Sequence, residues 1–210
     1  GVCEKYQPSA MIFNMGRPTI RWVGNENGLA AEANWNVMRV GDSVGEMESE
    51  SFDDVGLKLK EVYGLGNAWM PAECDTSIRK TRVGAKHWFY HTNDEKSVLS
   101  LDDLLDIYFK SVGRGSNLLL NFPPNRQGLV PDLDAKRATQ LGKKIEEMFS
   151  NPIANTSGEG EEIELEIPAG KQVNCLVSQE VISNGQRVRE YELQAFQNGS
   201  WKTLYGGYSI

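Results

Sequence analysis

The chain has 210 residues, enough for one full domain or parts of two and too few for a complete (β/α)8 barrel, which takes about 250 residues, with anything added. Hydrophobic residues make up 40% and charged residues 24%, with 21 glycines and 8 prolines, a globular composition that excludes collagen, coiled-coil and low-complexity readings. The 22 basic and 29 acidic residues leave a net charge of −7 with no basic stripe, which argues against nucleic acid as a partner.

No apolar run reaches the length of about 18 residues that a membrane span requires, and no basic segment followed by an apolar stretch opens the chain, so neither a span nor an export leader is predicted in it. Cys3, Cys74 and Cys175 are odd in number and widely spaced, which fits neither a disulfide framework nor a metal site, and they are read as small buried hydrophobes.

Ala10-Met11-Ile12-Phe13-Asn14, following Gln7-Pro8, predicts a short buried strand. From Gly16 to about Met70 the chain is rich in Gly, Asn, Asp and Glu and is read mostly as loop. Further apolar pieces run from Trp69 to Cys74, through Trp88-Phe89-Tyr90, and through Leu118-Leu119-Leu120 up to Asn121, each read as a strand. Two helices interleave with them. Ser100 is a plausible N-cap with Asp103 three residues on, and Leu101, Leu104, Leu105, Tyr108 and Val112 recur on one face, with Gly113 or Gly115 as the stop. Ala138, Leu141, Ile145, Met148 and Phe149 mark a second helix over about 131–150, ended before Pro152. Strands alternating with helices predict a parallel α/β sheet or barrel.

Beyond Pro152 the periodicity changes. After a Ser/Gly/Asn linker, Ile163, Leu165 and Ile167, then Val173, Cys175 and Val177, then Tyr191, Leu193 and Ala195 alternate with polar residues, and Asn184-Gly185 and Asn198-Gly199 are tight-turn signals. The chain therefore divides into an α/β part, residues 1–152, and the opening strands of an antiparallel β-sandwich, residues 153–210. Unfinished sheets expose edges, and poor solubility of the isolated chain is expected.

Few residues suggest chemistry. Gly64-Leu65-Gly66 and Gly113-Arg114-Gly115 do not sit between a strand and a helix as a dinucleotide site requires. His87 and His91 would suit zinc on a helix, but the aromatic run between them favours a strand, so no metal or cofactor is expected. With two histidines and no G-x-S-x-G, a hydrolase triad has little to draw on. Carboxylates beside aromatics are more informative: Glu26 follows Arg21-Trp22, Glu73 and Asp75 close the second strand, and loops at the carboxyl ends of barrel strands converge on one face. An apolar wall of Trp22 beside Glu26 would suit a general acid, and Trp35, Trp69 and Trp88 would offer surface to a sugar ring. On composition alone, the favoured reading is the plainer one, with Glu26 a solvated loop charge and the tryptophans core.

Five ordered motifs carry a resemblance: Tyr6-Gln7-Pro8-Ser9-Ala10-Met11-Ile12-Phe13, Ile20-Arg21-Trp22-Val23-Gly24-Asn25-Glu26, Trp69 through Arg79 with Pro71-Ala72-Glu73-Cys74-Asp75, Trp88-Phe89-Tyr90-His91, and Ser111-Val112-Gly113-Arg114 through Asn117-Leu118-Leu119-Leu120-Asn121-Phe122-Pro123-Pro124. Residues 1–150 resemble the second half of the catalytic domain of family 29 glycoside hydrolases, the α-L-fucosidases, and the segment around Gly185–Arg189 and Asn198–Trp201 is similar to the β-sandwich that follows. The resemblance implies the C-terminal half of a (β/α)8-type barrel followed by a partial antiparallel β-sandwich. It implies a retaining hydrolase releasing α-linked L-fucose from glycans, with the Trp-Val-Gly-Asn-Glu form resembling the α-1,3/1,4 subfamily. Glu26 then matches the acid/base, with Glu32 as second candidate, and Arg21, Trp22, Glu73, Asp75 and Trp88 border the sugar pocket. The nucleophilic Asp would lie upstream of Gly1, so the chain alone would be inactive, and a second chain supplying the first barrel half is one way to complete it. Localisation is open, secreted, periplasmic or lysosome-like by resemblance. Gly16-Arg17-Pro18-Thr19 and the stretch from Lys80 to Lys86 depart from the family pattern. A carbohydrate-binding or partner-binding module is the competing reading.

Overall fold

The computed structural model describes residues 1–14, 18–38, 68–80 and 88–210. Gly64–Gly66, His87, the Gly16-Arg17 departure and most of the expected long loop lie outside the described residues. In chain order the elements are α1 (Val2–Tyr6), β1 (Arg21–Trp22), β2 (Val37–Met38), β3 (Ala68–Trp69), β4 (Ala72–Ser77), α2 (Leu101–Ser111), β5 (Asn117–Asn121), α3 (Asp132–Phe149), β6 (Tyr191–Gln197) and β7 (Ser200–Gly207).

The strands β1, β4 and β5 form a three-stranded parallel sheet with β4 in the middle. Parallel neighbours need a crossover, and α2 supplies it between β4 and β5. Such strands are covered on both faces, which explains why β4 reads as near-continuously buried instead of alternating. On the helix-side face, Ala72 and Cys74 pack with Val23 and Ala30, and Ile78 packs with Val98, Leu104, Ile107 and Leu141.

Both predicted helices form. Ser100 caps α2 reciprocally: its Oγ accepts from Asp103 N at 3.1 Å, and its own N–H donates to Asp103 Oδ2 at 3.1 Å. These bonds favour the Asp103 carboxylate and lower its pKa. The buried stripe is Leu104, Ile107 and Ser111, rotated from the expected one, with Val112 left 39% exposed. Gly115, at φ 74°, makes the left-handed stop after one 3-10 turn. The helix α3 spans the expected range.

A buried ion pair fixes α3 against the sheet. Arg79, just past β4, donates from Nη2 and Nε to Asp134 Oδ1 and Oδ2 at 2.7 and 3.1 Å, and from Nη1 to the Asp94 carbonyl at 2.8 Å. Both partners are buried, and burial pushes the Asp134 carboxyl up against the pull of Arg79.

Several expectations are corrected. Ala10–Asn14 forms one bridge, Phe13 to Ile20, with Met11 and Phe13 exposed, because no second strand flanks it among the described residues. Trp88–Tyr90 is not a strand. The alternating runs around Ile163–Ile167 and Val173–Val177 form no ladder, since no partner strand receives their edges among the described residues. The pattern from Tyr191 does form a hairpin, β6–β7, closed by Asn198 and Gly199 at φ 53° and 80°, the pair of positive angles that a two-residue turn of this hand requires. Asn184-Gly185 instead ends a 3-10 turn. Cys74 is buried, but Cys3 and Cys175 are exposed. No helix among the described residues is long and apolar enough to cross a membrane.

Removing one partner of a buried pair strands the other charge, so Asp134→Asn is expected to cost about 3–5 kcal/mol in urea unfolding; a loss under about 1 kcal/mol would contradict a structural role. Burial also raises the Cys74 thiol pKa, the Ser116 hydroxyl at 3.2 Å pulling the other way. In the folded chain Cys3 and Cys175 should react with an aromatic disulfide reagent, and Cys74 only after denaturation.

Candidate active site

In-register pairing across parallel strands places partners on one face. Trp22, Glu73 and Asn117 form one row, Asp75 and Leu119 the next, and Ser77 and Asn121 the row at the carboxyl end. On this face the Trp22 indole N–H donates to Asp75 Oδ1 at 2.7 Å, and Asn117 Nδ2 donates to Glu73 Oε2 at 2.6 Å. Thus Trp22, expected beside Glu26, holds Asp75.

The segment after β1 folds back on itself in a turn over residues 25–29 that carries Glu26. Asn25 accepts from Asn27 N–H at 3.0 Å and donates from Nδ2 to the Leu29 carbonyl at 2.8 Å, an Asx turn. Gly28 then lies against the sheet, its N–H donating to the Asp75 carbonyl at 3.0 Å. It has φ 70°, and a Cβ there would come within 2.7 Å of Ile107 Cγ2. Glycine is needed for both angle and space.

Glu26 is exposed, and its Oε2 accepts the indole N–H of Trp88 at 2.9 Å. The Trp88 carbonyl in turn accepts from Asn121 Nδ2 at 3.1 Å. Beside this loop lies a cleft of about 370 Å³, lined by Tyr90, His91, Asn125 and Asp132 among others.

Glu26 and Trp88 are therefore brought together, and Trp22, Glu73 and Asp75 share one sheet face. Arg21 is not with them. Alternation turns it to the other face, where it is buried and donates to Asn34 Oδ1 at 2.5 Å and the Trp35 carbonyl at 3.2 Å. Burial pulls its pKa down to about 10, which leaves it charged at neutral pH. Glu32 also lies apart: it is 80% exposed and pairs at 3.6 Å with Arg114, past the C-terminal end of α2. Trp35 is buried and Trp69 is 42% exposed. Among the described residues no group of three or more His, Cys, Asp and Glu could hold a metal ion.

Sequence reasoning missed Asn117, Asn121 and Gly28. The signal for the first two was available, since Asn at both ends of Asn117-Leu118-Leu119-Leu120-Asn121 puts two amides four apart on one strand face.

A family model described as alpha-L-fucosidase matches residues 4–147, which span every residue of this sheet and the Glu26 and Trp88 segments. The chain belongs to the α-L-fucosidase family. It is 32% identical to alpha-L-fucosidase 1 of Arabidopsis thaliana over 99% of this chain and 45% of that protein. Among solved structures it is similar to one from Bacteroides thetaiotaomicron, with a TM-score of 0.86, 33% identity and coverage of 100% of this chain and 47% of that one. A glycoside hydrolase 29 family member from an unknown rumen bacterium matches at TM-score 0.72 and 33% identity, over 97% of this chain and 35% of that one. A Ruminococcus gnavus GH29 fucosidase in complex with fucose matches at TM-score 0.71 and 25% identity, over 95% and 45%. The chain spans about half the length of the curated relatives it matches.

In this member of the α-L-fucosidase family the rim position of Glu26 depends on Gly28. Gly28→Ala should lower stability by about 1–3 kcal/mol through the positive φ and the contact with Ile107, read as a fall in the urea midpoint; an unchanged midpoint would show that the loop is not held as described.

Proposed function

We propose that the chain is the part of a retaining α-L-fucosidase that carries the acid/base, Glu26, and much of the sugar-binding wall. What carries this reading is the placement of Glu26 on the indole N–H of Trp88 at the carboxyl-end rim of three parallel strands, where barrel enzymes assemble their chemistry. In this reading β1, β4 and β5 are neighbouring strands of the C-terminal half of a (β/α)8-type barrel, residues 1–152, and β6–β7 belongs to a β-sandwich, residues 153–210.

Retaining glycosidases use two carboxyl groups about 5–5.5 Å apart. A nucleophilic Asp, from an upstream segment or a second chain, would attack the anomeric carbon while the Glu26 carboxyl gives its proton to the departing glycosidic oxygen, so that the C–O bond breaks and a fucosyl ester forms. Glu26, now a carboxylate, would take a proton from water as that water attacks the same carbon and expels the Asp. Net configuration is kept. Trp22, Asp75 and Trp88 would line the fucose pocket. Glu73, held lower in the sheet by Asn117, and Arg21, on the opposite face, would shape that wall from beneath.

The substrate would be a glycan or glycoconjugate ending in α-linked L-fucose, of the α-1,3/1,4 type by the motif at Trp22–Glu26.

The test uses the complete enzyme, with whatever segment or chain supplies the nucleophile. Glu26→Ala should lower kcat/KM on a fucosyl disaccharide by about 10²–10⁴-fold. Azide should then restore turnover on an aryl fucoside, giving a fucosyl azide of retained configuration. Glu32→Gln should stay within about 3-fold of the parent, its carboxylate being an exposed partner of Arg114. Near-parental turnover by Glu26→Ala would remove Glu26 from the mechanism.

A further inference from the structure

The acid/base assignment leaves open what holds Glu26 still, since it is exposed and on a loop. Its Oε2 accepts from Trp88 Nε1 at 2.9 Å, but Trp88 belongs to no helix or strand. Trp88 is connected to the sheet through its carbonyl, which accepts from Asn121 Nδ2 at 3.1 Å. Asn121 is itself fixed. It is the last residue of β5, in register with Ser77, and its carbonyl accepts from Ile78 N–H at 3.0 Å beside the buried core.

We infer that Asn121 is a positioning residue for the glycosidase reaction, transmitting the rigidity of β5 through Trp88 to the carboxyl of Glu26. The inference rests on the reading of Glu26 as the acid/base. The chemistry at Asn121 is specific: an amide N–H must meet the Trp88 carbonyl, and a carboxylate of the same size would set acceptor against acceptor. The Asn121 amide donates to the Trp88 carbonyl, so its loss should act through Trp88. It should loosen the aim of Glu26, and misplacement by about 1 Å can cost about 100-fold where positioning matters.

Proton donation matters most when the leaving group is poor. A weakly basic aryl leaving group departs with little help, whereas an alkyl leaving group must be protonated as the bond breaks. The test therefore compares kcat/KM on an alkyl and on a 4-nitrophenyl α-L-fucoside, in the complete enzyme, for Glu26→Ala, Asn121→Leu, Asn121→Asp and Trp88→Phe. Trp88→Phe keeps a ring and removes the N–H that Glu26 accepts.

The alkyl-to-aryl ratio should fall by roughly 10-fold or more in Asn121→Leu and Trp88→Phe. The Asn121→Leu/Trp88→Phe double variant should fall no further than Trp88→Phe, since both act through one bond to Glu26. Asn121→Asp should show the same change and serves as the readout if the leucine variant does not fold.

If Glu26→Ala shows the leaving-group dependence while the Asn121 variants slow both substrates alike, the inference fails and the role of Glu26 stands. An additive double variant overturns it as well. If Glu26→Ala slows both substrates equally, the acid/base reading fails, and the inference with it.

Discussion

The strand β4 has a hydrogen-bonded neighbour on each side and side chains buried on both faces, and the arrangement of the whole α/β part follows from that double demand. One face must be apolar to receive the helices, and Ala72, Cys74 and Ile78 supply it. The other face carries Glu73 and Asp75, polar groups that are inexpensive to hold there only because neighbouring strands bring donors to them. Alternation along a strand with period two separates the two demands without any change of backbone.

The carboxylates of this region are oriented by neutral N–H donors: Glu73 by an asparagine amide, Asp75 and Glu26 by indoles. A neutral donor fixes the direction of a carboxylate without itself supplying a full counter-charge. The strongest cations are deployed elsewhere. Arg79 joins β4 to α3 through Asp134, Arg21 is buried on the opposite face, and Arg114 holds the Ala30 carbonyl and pairs with Glu32. Of these, the buried Arg79–Asp134 pair is the one that joins a strand to a helix.

Residues near the C-terminus reach back to the segment after β1. Gln186 accepts from Asn36 N–H at 2.9 Å and donates to the Ile210 carbonyl at 3.2 Å, and Ser209 Oγ donates to the Asn34 carbonyl at 3.3 Å. Asn34 is also the residue that accepts Arg21. A short hydrogen-bonded relay thus runs from the last residues to the first strand of the parallel sheet, and Gln186 and Ser209 are buried within it although the hairpin between them is largely exposed.

Local pattern settled a good deal. Ser100 with Asp103, the extents of α2 and α3, the Asn198-Gly199 turn and β5 depend on residues a few places apart and could be read directly, whereas the buried stripe of α2 is rotated and the strand expected over Trp69–Cys74 lies at Ala72–Ser77. The resemblance to fucosidase motifs set the expectation that Glu26, Asp75 and Trp88 belong to one site. What depends on pairing between distant segments was not legible. Alternation runs through Ile163–Ile167 and Val173–Val177 as clearly as through β6, yet only β6 has a partner to complete its hydrogen bonds. The residues Arg21 and Trp22 are adjacent in sequence, but strand geometry sends one into the helix-side layer and the other to Asp75. The bond from Trp88 to Glu26 joins residues 62 apart and that from Asn121 to Trp88 spans 33, separations that no local period encodes. Sequence alone determined which side chains were available and where the locally specified elements, the two long helices and the Asn198-Gly199 turn, would form. Tertiary structure decided which of those side chains meet, because register across β1, β4 and β5 sets direction and distance together.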